Sequence, residues 1–176
     1  QGPKIRVGQL PSSFKLLRGK EVIICTKKRA NTIPVNYNNF AKDVKKRDVV
    51  LLDDGKLSLK VVSSNGKDTV KLKVVHGGLL HSFKGINLPN TKITLPCLTR
   101  KDRKDLAFIL KEKIEWIGLS FVRSSEDIKK LKRIIKRAKV THKVIAKIEK
   151  PQAIKELDAI INESEAIMVA RGDLGV

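Results

Sequence analysis

The chain has 176 residues, enough for one domain or two small ones, and 41% of them are hydrophobic, enough to bury a core. Its 38 Lys and Arg against 18 Asp and Glu give a net charge of +20, but the basic residues run along almost the whole chain. With aromatics at 4% and no Cys/His finger or RNP-like aromatic motif, this is a solvated Lys-rich surface and no nucleic-acid partner is expected.

From about Ile5 to Val75 apolar residues alternate with polar ones, as in Leu57, Leu59, Val61 and then Val70, Leu72, Val74. This two-residue period predicts strands. Asp54-Gly55 and Asn65-Gly66 sit between apolar stretches and supply the positive φ of tight hairpin turns, so the first half reads as a small antiparallel β unit. From Thr99 the period becomes helical. Thr99 with Asp102 predicts a capped helix start before Leu106, Ile109 and Leu110. Ser124 with Asp127 predicts a second, before Ile128, Leu131, Ile134 and Ile135. Pro151 suits a first helical position, followed by Ile154, Leu157, Ile160 and Ile161. Strands are predicted between them at Ile114 to Phe121, Val144 to Glu149 and Ala166 to Ala170. Such alternation signals a parallel sheet, as a barrel or a doubly wound sheet. No Gly-rich dinucleotide or Walker-type loop opens a helix, which favours a β/α barrel.

No apolar run approaches the roughly 18 residues of a membrane span, and none is expected. The opening Gln1-Gly2-Pro3-Lys4 has neither a Met nor an apolar stretch, so no signal peptide is predicted. Cys25 and Cys97 lie far apart without a CxxC spacing, which fits a reducing cytoplasm.

Barrel enzymes carry their reacting groups at the carboxyl ends of strands. Lys147 and Glu149, two residues apart at such an end, project to the same side. The next strand runs into Arg171-Gly172-Asp173, where Gly172 allows close approach to the backbone and Asp173 adds a second carboxylate. Two carboxylates from neighbouring strands suit a hard ion such as Mg²⁺. A plain salt-bridge network fits the spacing equally well.

The literal strings add to this reading. Ala146-Lys147-Ile148-Glu149 and Ile167 to Gly175 (IMVARGDLG) resemble the pyruvate kinase pattern SKIEN…IMVARGDLG. Gly2-Pro3-Lys4-Ile5-Arg6 resembles KGPEIR, Asp53-Asp54-Gly55 resembles VDDG, Lys84 to Pro89 resembles KGVNLP, and Ser120-Phe121-Val122-Arg123 resembles SFIR. The matches are in order and cover essentially the whole chain.

The resemblance implies a partial (β/α)8 barrel of the TIM type with an inserted small antiparallel β-barrel lid. Residues 1–3 would end a barrel strand, 4–94 form the lid and 95–176 supply about three βα units, so that about four of the eight barrel strands are present and this piece alone is expected to be inactive. It implies phosphoryl transfer from phosphoenolpyruvate to ADP, giving pyruvate and ATP, with Mg²⁺ or Mn²⁺, in a cytoplasmic enzyme that is a homotetramer at full length. Lys147 would be catalytic, and Glu149 and Asp173 metal ligands. Gly172, Asp173, Ser120 and Phe121 would bind substrate, although ordinary packing also explains Phe121. Arg6 and Lys84 would contact nucleotide phosphates, and Asp54 would lie at the lid tip unless it only serves its hairpin. Lys4, where other members have Glu, implies no requirement for K⁺. Gln1 for Lys and Lys150 for Asn depart from the pattern at positions without a primary role, and His76, His81 and His142 match nothing catalytic. A barrel lyase or aldolase acting on pyruvate-like substrates would share the ion but lack the DDG and KGINLP strings, and a dead binding module would keep the residues without turnover.

Overall fold

The computed structural model describes residues 2–27 and 29–175; Gln1 lies outside them. Two units are present, Lys4–Thr94 and, with Gly2 and Pro3, Leu95–Gly175.

The first unit contains β1 (Phe14–Leu16), β2 (Glu21–Cys25), β3 (Ile33–Pro34), a single helical turn α1 (Phe40–Asp43), β4 (Val49–Leu52), β5 (Leu57–Ser64), β6 (Thr69–His76), β7 (Gly78–Leu80) and β8 (Ile86–Asn87). Its main sheet has the order β3-β2-β6-β5-β4-β8, and β1 pairs separately with β7. Alternation decides which face is buried. Val70, Leu72 and Val74 point into the core from β6, while Lys71 and Lys73 between them are exposed. The turn from β5 to β6 is tied by Asn65, whose Oδ1 accepts the N–H groups of Lys67, Asp68 and Thr69 at 2.9–3.0 Å. Gly66 takes φ +66° there. The turn from β4 to β5 uses three left-handed residues, Asp53, Asp54 and Gly55, at φ 51°, 54° and 82°, a conformation that Asp and Gly adopt most readily. The sheet is not wholly antiparallel: β2 and β3 run parallel, with Ile24 opposite Ile33. Alternation reports faces, not strand direction.

The second unit is α/β. It contains α2 (Arg100–Ile109), β9 (Trp116–Leu119), α3 (Ser125–Arg137), β10 (Lys143–Ile148), α4 (Pro151–Lys155), α5 (Leu157–Glu163), β11 (Ala166–Val169) and α6 (Arg171–Leu174). The strands form a parallel sheet with β10 between β11 and β9. Val144, Ala146 and Ile148 of β10 are buried in one cluster with Ile128, Leu131 and Ile135 of α3. Thr99 forms a capping box with Asp102, each side chain accepting from the other's backbone N–H, which satisfies two of the otherwise orphaned donors of the helix start. Ser124 occupies the cap position of α3 but its side chain makes no cap hydrogen bond; Asp127 instead accepts the N–H of Arg123 at 3.1 Å. Pro151 opens α4 as expected, yet the single helix predicted after it breaks at Glu156 (φ −114°, ψ 17°) into α4 and α5. Only Ala153 of α4 and Ile160 of α5 are buried. No helix among the described residues is long and apolar enough to cross a membrane.

Candidate active site

The carboxyl ends of β9 and β10 bring the charged groups together. The register pairs Ala146 with Leu119, so the residues that follow, Lys147 and Ser120, emerge side by side. Lys147 Nζ lies 3.3 Å from Ser120 Oγ and 2.5 Å from Glu149 Oε1. The other carboxylate oxygen, Oε2, accepts the backbone N–H of Phe121 at 2.8 Å. Glu149 is 1% exposed, whereas the Lys147 side chain is 28% exposed. One end of this ion pair is therefore dry and the other open to solvent.

Phe121 is buried and has φ +54°, a costly conformation for a residue with a side chain. That turn aims its N–H at Glu149. Gly2 packs against it: a Cβ at Gly2, itself at φ +72°, would lie 2.6 Å from Phe121 Cδ2 and 3.3 Å from Ser120 Cβ. Across the Phe121 ring stands Lys150, its Nζ 5.6 Å from the ring centroid. Burial pushes the Lys150 ammonium below the usual lysine range, and the nearby charges of Asp173 and Glu149 oppose that shift. Lys150 was set aside on sequence grounds; its only signal there was the departure from Asn.

Asp173 and Gly172 are exposed on α6, one step past β11, and nothing lies within 4 Å of where a Gly172 Cβ would stand. Among the described residues no three His, Cys, Asp or Glu side chains gather closely enough to hold a metal. Of the two carboxylates expected to hold a divalent ion, Glu149 is buried with both oxygens engaged and Asp173 is exposed; oxygen donors of this kind are the ones Mg²⁺ and Mn²⁺ take.

Arg6, Lys84 and Asp54 belong to the first unit. Arg6 bridges Gly85 in antiparallel fashion, and its Nη1 donates to Phe83 O at 2.9 Å. Lys84 Nζ pairs with Asp53 Oδ1 at 2.8 Å; this hydrogen bond pushes Lys84 upward and Asp53 downward. Asp54 Oδ1 comes within 3.8 Å of the position of a Gly85 Cβ. These residues share one corner of the sheet, with Asp53 as an unforeseen partner of Lys84. Lys4 is exposed, and its carbonyl accepts from Asn36 Nδ2 at 3.4 Å. His76 Nδ1 is 2.8 Å from Ser58 Oγ, and His142 Nδ1 is 2.7 Å from Ile114 O.

Helices alternating with parallel strands, and charged groups gathered where β9 and β10 end, define a segment of an α/β barrel enzyme. The family model described as pyruvate kinase, barrel domain, matches residues 1–176, and the chain belongs to the pyruvate kinase family. It is 41% identical over its whole length to a pyruvate kinase of Corynebacterium glutamicum and 37% identical to one of Clostridium acetobutylicum, spanning 38% of each. A crystal structure of a pyruvate kinase from Cryptosporidium parvum superimposes with a TM-score of 0.90 at 34% identity, over 99% of this chain and 38% of that one. The chain thus spans well under half the length of these relatives.

Proposed function

We propose that the protein containing this chain transfers the phosphoryl group of phosphoenolpyruvate to ADP, giving pyruvate and ATP. The observation that carries the reading is the Lys147–Glu149 pair at the end of β10, with Ser120 beside it. Lys147 neutralises the phosphoryl group in flight and the enolate oxygen left behind, and Ser120 fixes its ammonium. Glu149 and Asp173 hold Mg²⁺ or Mn²⁺, which when bound screens the charge on substrate and phosphoryl oxygens. The backbone at Gly172 and Asp173 receives the substrate carboxylate, and Phe121 walls the pocket. Such transfer asks mainly for positioning and charge stabilisation, so this set of charges suits it.

Residues 4–94 act as an inserted β lid with Asp54 at its tip. Arg6 and Lys84 contact nucleotide phosphates, Lys84 exchanging Asp53 for the incoming anion. Lys4 supplies a tethered positive charge in place of K⁺. The reading carries with it a cytoplasmic, homotetrameric full-length enzyme.

A coupled assay on the full-length protein with phosphoenolpyruvate, ADP and Mg²⁺ tests it, with Lys147→Met alongside. Loss of Lys147 is expected to lower kcat by roughly 100- to 1,000-fold, as for a lost oxyanion donor. No ATP from the unmutated protein would sink the proposal. Omitting K⁺ should leave the rate unchanged; recovery only on adding KCl would refute the role given to Lys4.

A further inference from the structure

We propose that Asn36 positions Arg6 for nucleotide binding, and that the segment it opens, residues 36–43, clamps together the two ends of the first unit. This deepens the nucleotide reading of Arg6 given above and rests on it.

The chain enters the first unit at Lys4 and leaves it at Thr94, and both ends are bonded to that one segment. At the entrance, Asn36 Oδ1 accepts the N–H of Arg6 at 2.7 Å, the Asn36 N–H donates to Arg6 O at 3.1 Å, and its Nδ2 donates to Lys4 O at 3.4 Å. A carboxamide carries its acceptor and its donor on separate atoms, so one side chain serves both backbone groups. Asn36 is exposed, so burial does not account for it. Because Arg6 Nη1 donates to Phe83 O at 2.9 Å, Arg6 is held at its backbone by one partner and at its guanidinium by another.

At the exit, the Thr94 N–H donates to Asp43 Oδ2 at 2.7 Å, and Thr94 Oγ1 lies 3.0 Å from the Tyr37 hydroxyl and accepts from Asn39 Nδ2 at 3.0 Å. The Tyr37 hydroxyl also donates to Asp43. Tyr37 and Asp43 are buried, and a buried carboxylate is costly unless it is hydrogen-bonded. These groups bond the exit instead of serving α1: Asn39 stands at the cap of that helical turn yet makes no side-chain cap bond. Phe40, fully buried, roots the segment in the core. Arg6 is therefore tied to the core through residues 36–43, and slack at either end of the unit reaches its guanidinium.

The test uses the full-length protein, with KM for ADP and for phosphoenolpyruvate measured beside amide hydrogen exchange by mass spectrometry. Asn36→Ala is expected to raise KM for ADP by roughly 3- to 10-fold, the effect of one or two lost hydrogen bonds, and to leave KM for phosphoenolpyruvate within about twofold. Exchange should quicken at Arg6 and stay unchanged in β5 and β6. Thr94→Val, which removes the hydroxyl at the other end and keeps the shape, should raise KM for ADP in the same direction. A comparable rise in KM for phosphoenolpyruvate, or unchanged exchange at Arg6, overturns the inference, since the contacts then serve stability alone. A rise in Asn36→Ala with none in Thr94→Val overturns the coupling of the two ends, and the clamp with it. KM for ADP unmoved in Arg6→Met overturns the nucleotide reading and the inference together. KM raised in Arg6→Met but unmoved in Asn36→Ala overturns the inference alone.

Discussion

Lys147→Met is expected to destabilise the protein as well as stop the reaction, and a divalent ion is expected to recover part of that stability. The substitution leaves Glu149 as a carboxylate that is 1% exposed and keeps only the Phe121 N–H as a partner. Removing one member of a buried ion pair costs roughly 3–5 kcal/mol. Because the Lys147 side chain is 28% exposed, water reaches that side of the carboxylate, and about 3 kcal/mol is expected. On the proposed reading Glu149 would serve both Lys147, which contacts its Oε1 at 2.5 Å, and a divalent ion, so the two cations would compete. The variant has no such competitor. Stabilisation by a ligand at a hundred times its Kd is about 2.7 kcal/mol, so Mn²⁺ should restore most of the loss and shift the variant more than the unmutated protein. Urea unfolding in EDTA and in Mn²⁺ measures both numbers. A variant as stable as the unmutated protein in EDTA, or an equal Mn²⁺ shift in the two, would refute the assignment of one oxygen to two competing cations.

Four further outcomes follow from the second unit. Cys97 is buried and donates to Ser120 O at 3.3 Å; burial above all, aided by the Asp127 charge, pushes its thiol up to about 12. Native protein at pH 8 should resist iodoacetamide at Cys97 by mass spectrometry, and labelling without unfolding would contradict the packing. The native thiol keeps its proton where the unfolded one loses it, so this group's contribution to stability falls as pH rises from about 9 towards 12, and Cys97→Ser should remove that slope. Gly2→Ala meets both the positive φ and the 2.6 Å approach to Phe121; a loss of about 1–3 kcal/mol is expected in denaturant unfolding, with Glu149 losing its anchor as Phe121 shifts. Thr99→Ala removes the capping box of α2 and should cost about 1 kcal/mol; an unchanged midpoint would show that the cap contributes nothing there.

What the sequence disclosed and what it concealed divide along a physical line. Faces and turns are local. The alternation of Val70, Leu72 and Val74, the Asn65-Gly66 turn and the Thr99–Asp102 box all come from interactions within a few residues, and each is present in the structure. Strand direction is not local, and β3 lies parallel to β2 although the same residues would alternate either way. The break at Glu156 was hidden for a related reason: the apolar stripe of Ile154, Leu157 and Ile160 continues through it, while only Ala153 and Ile160 are fully buried and Leu157 packs on the core partly exposed. The contact of Lys150 with Phe121 was hidden in the same way: Phe121 stands 29 positions earlier and reaches it only because β9 and β10 pair.

The same distinction bears on Lys147 and Glu149. Their spacing allowed either a salt bridge or a metal site, and those looked like rival readings. On the proposed function they become successive uses of one carboxylate. Oε2 is fixed by the Phe121 N–H and Oε1 is shared with a lysine that is open to solvent on its far side. On that reading an exchange at Oε1 would cost little reorganisation, since the Phe121 N–H holds Oε2 in place while the ammonium turns to the substrate. A pair built only for stability would have no need to leave its cation 28% exposed, nor to keep a phenylalanine in a left-handed conformation to hold its anion. The strain at Phe121 and the exposure of Lys147 are both what that proposed exchange would require.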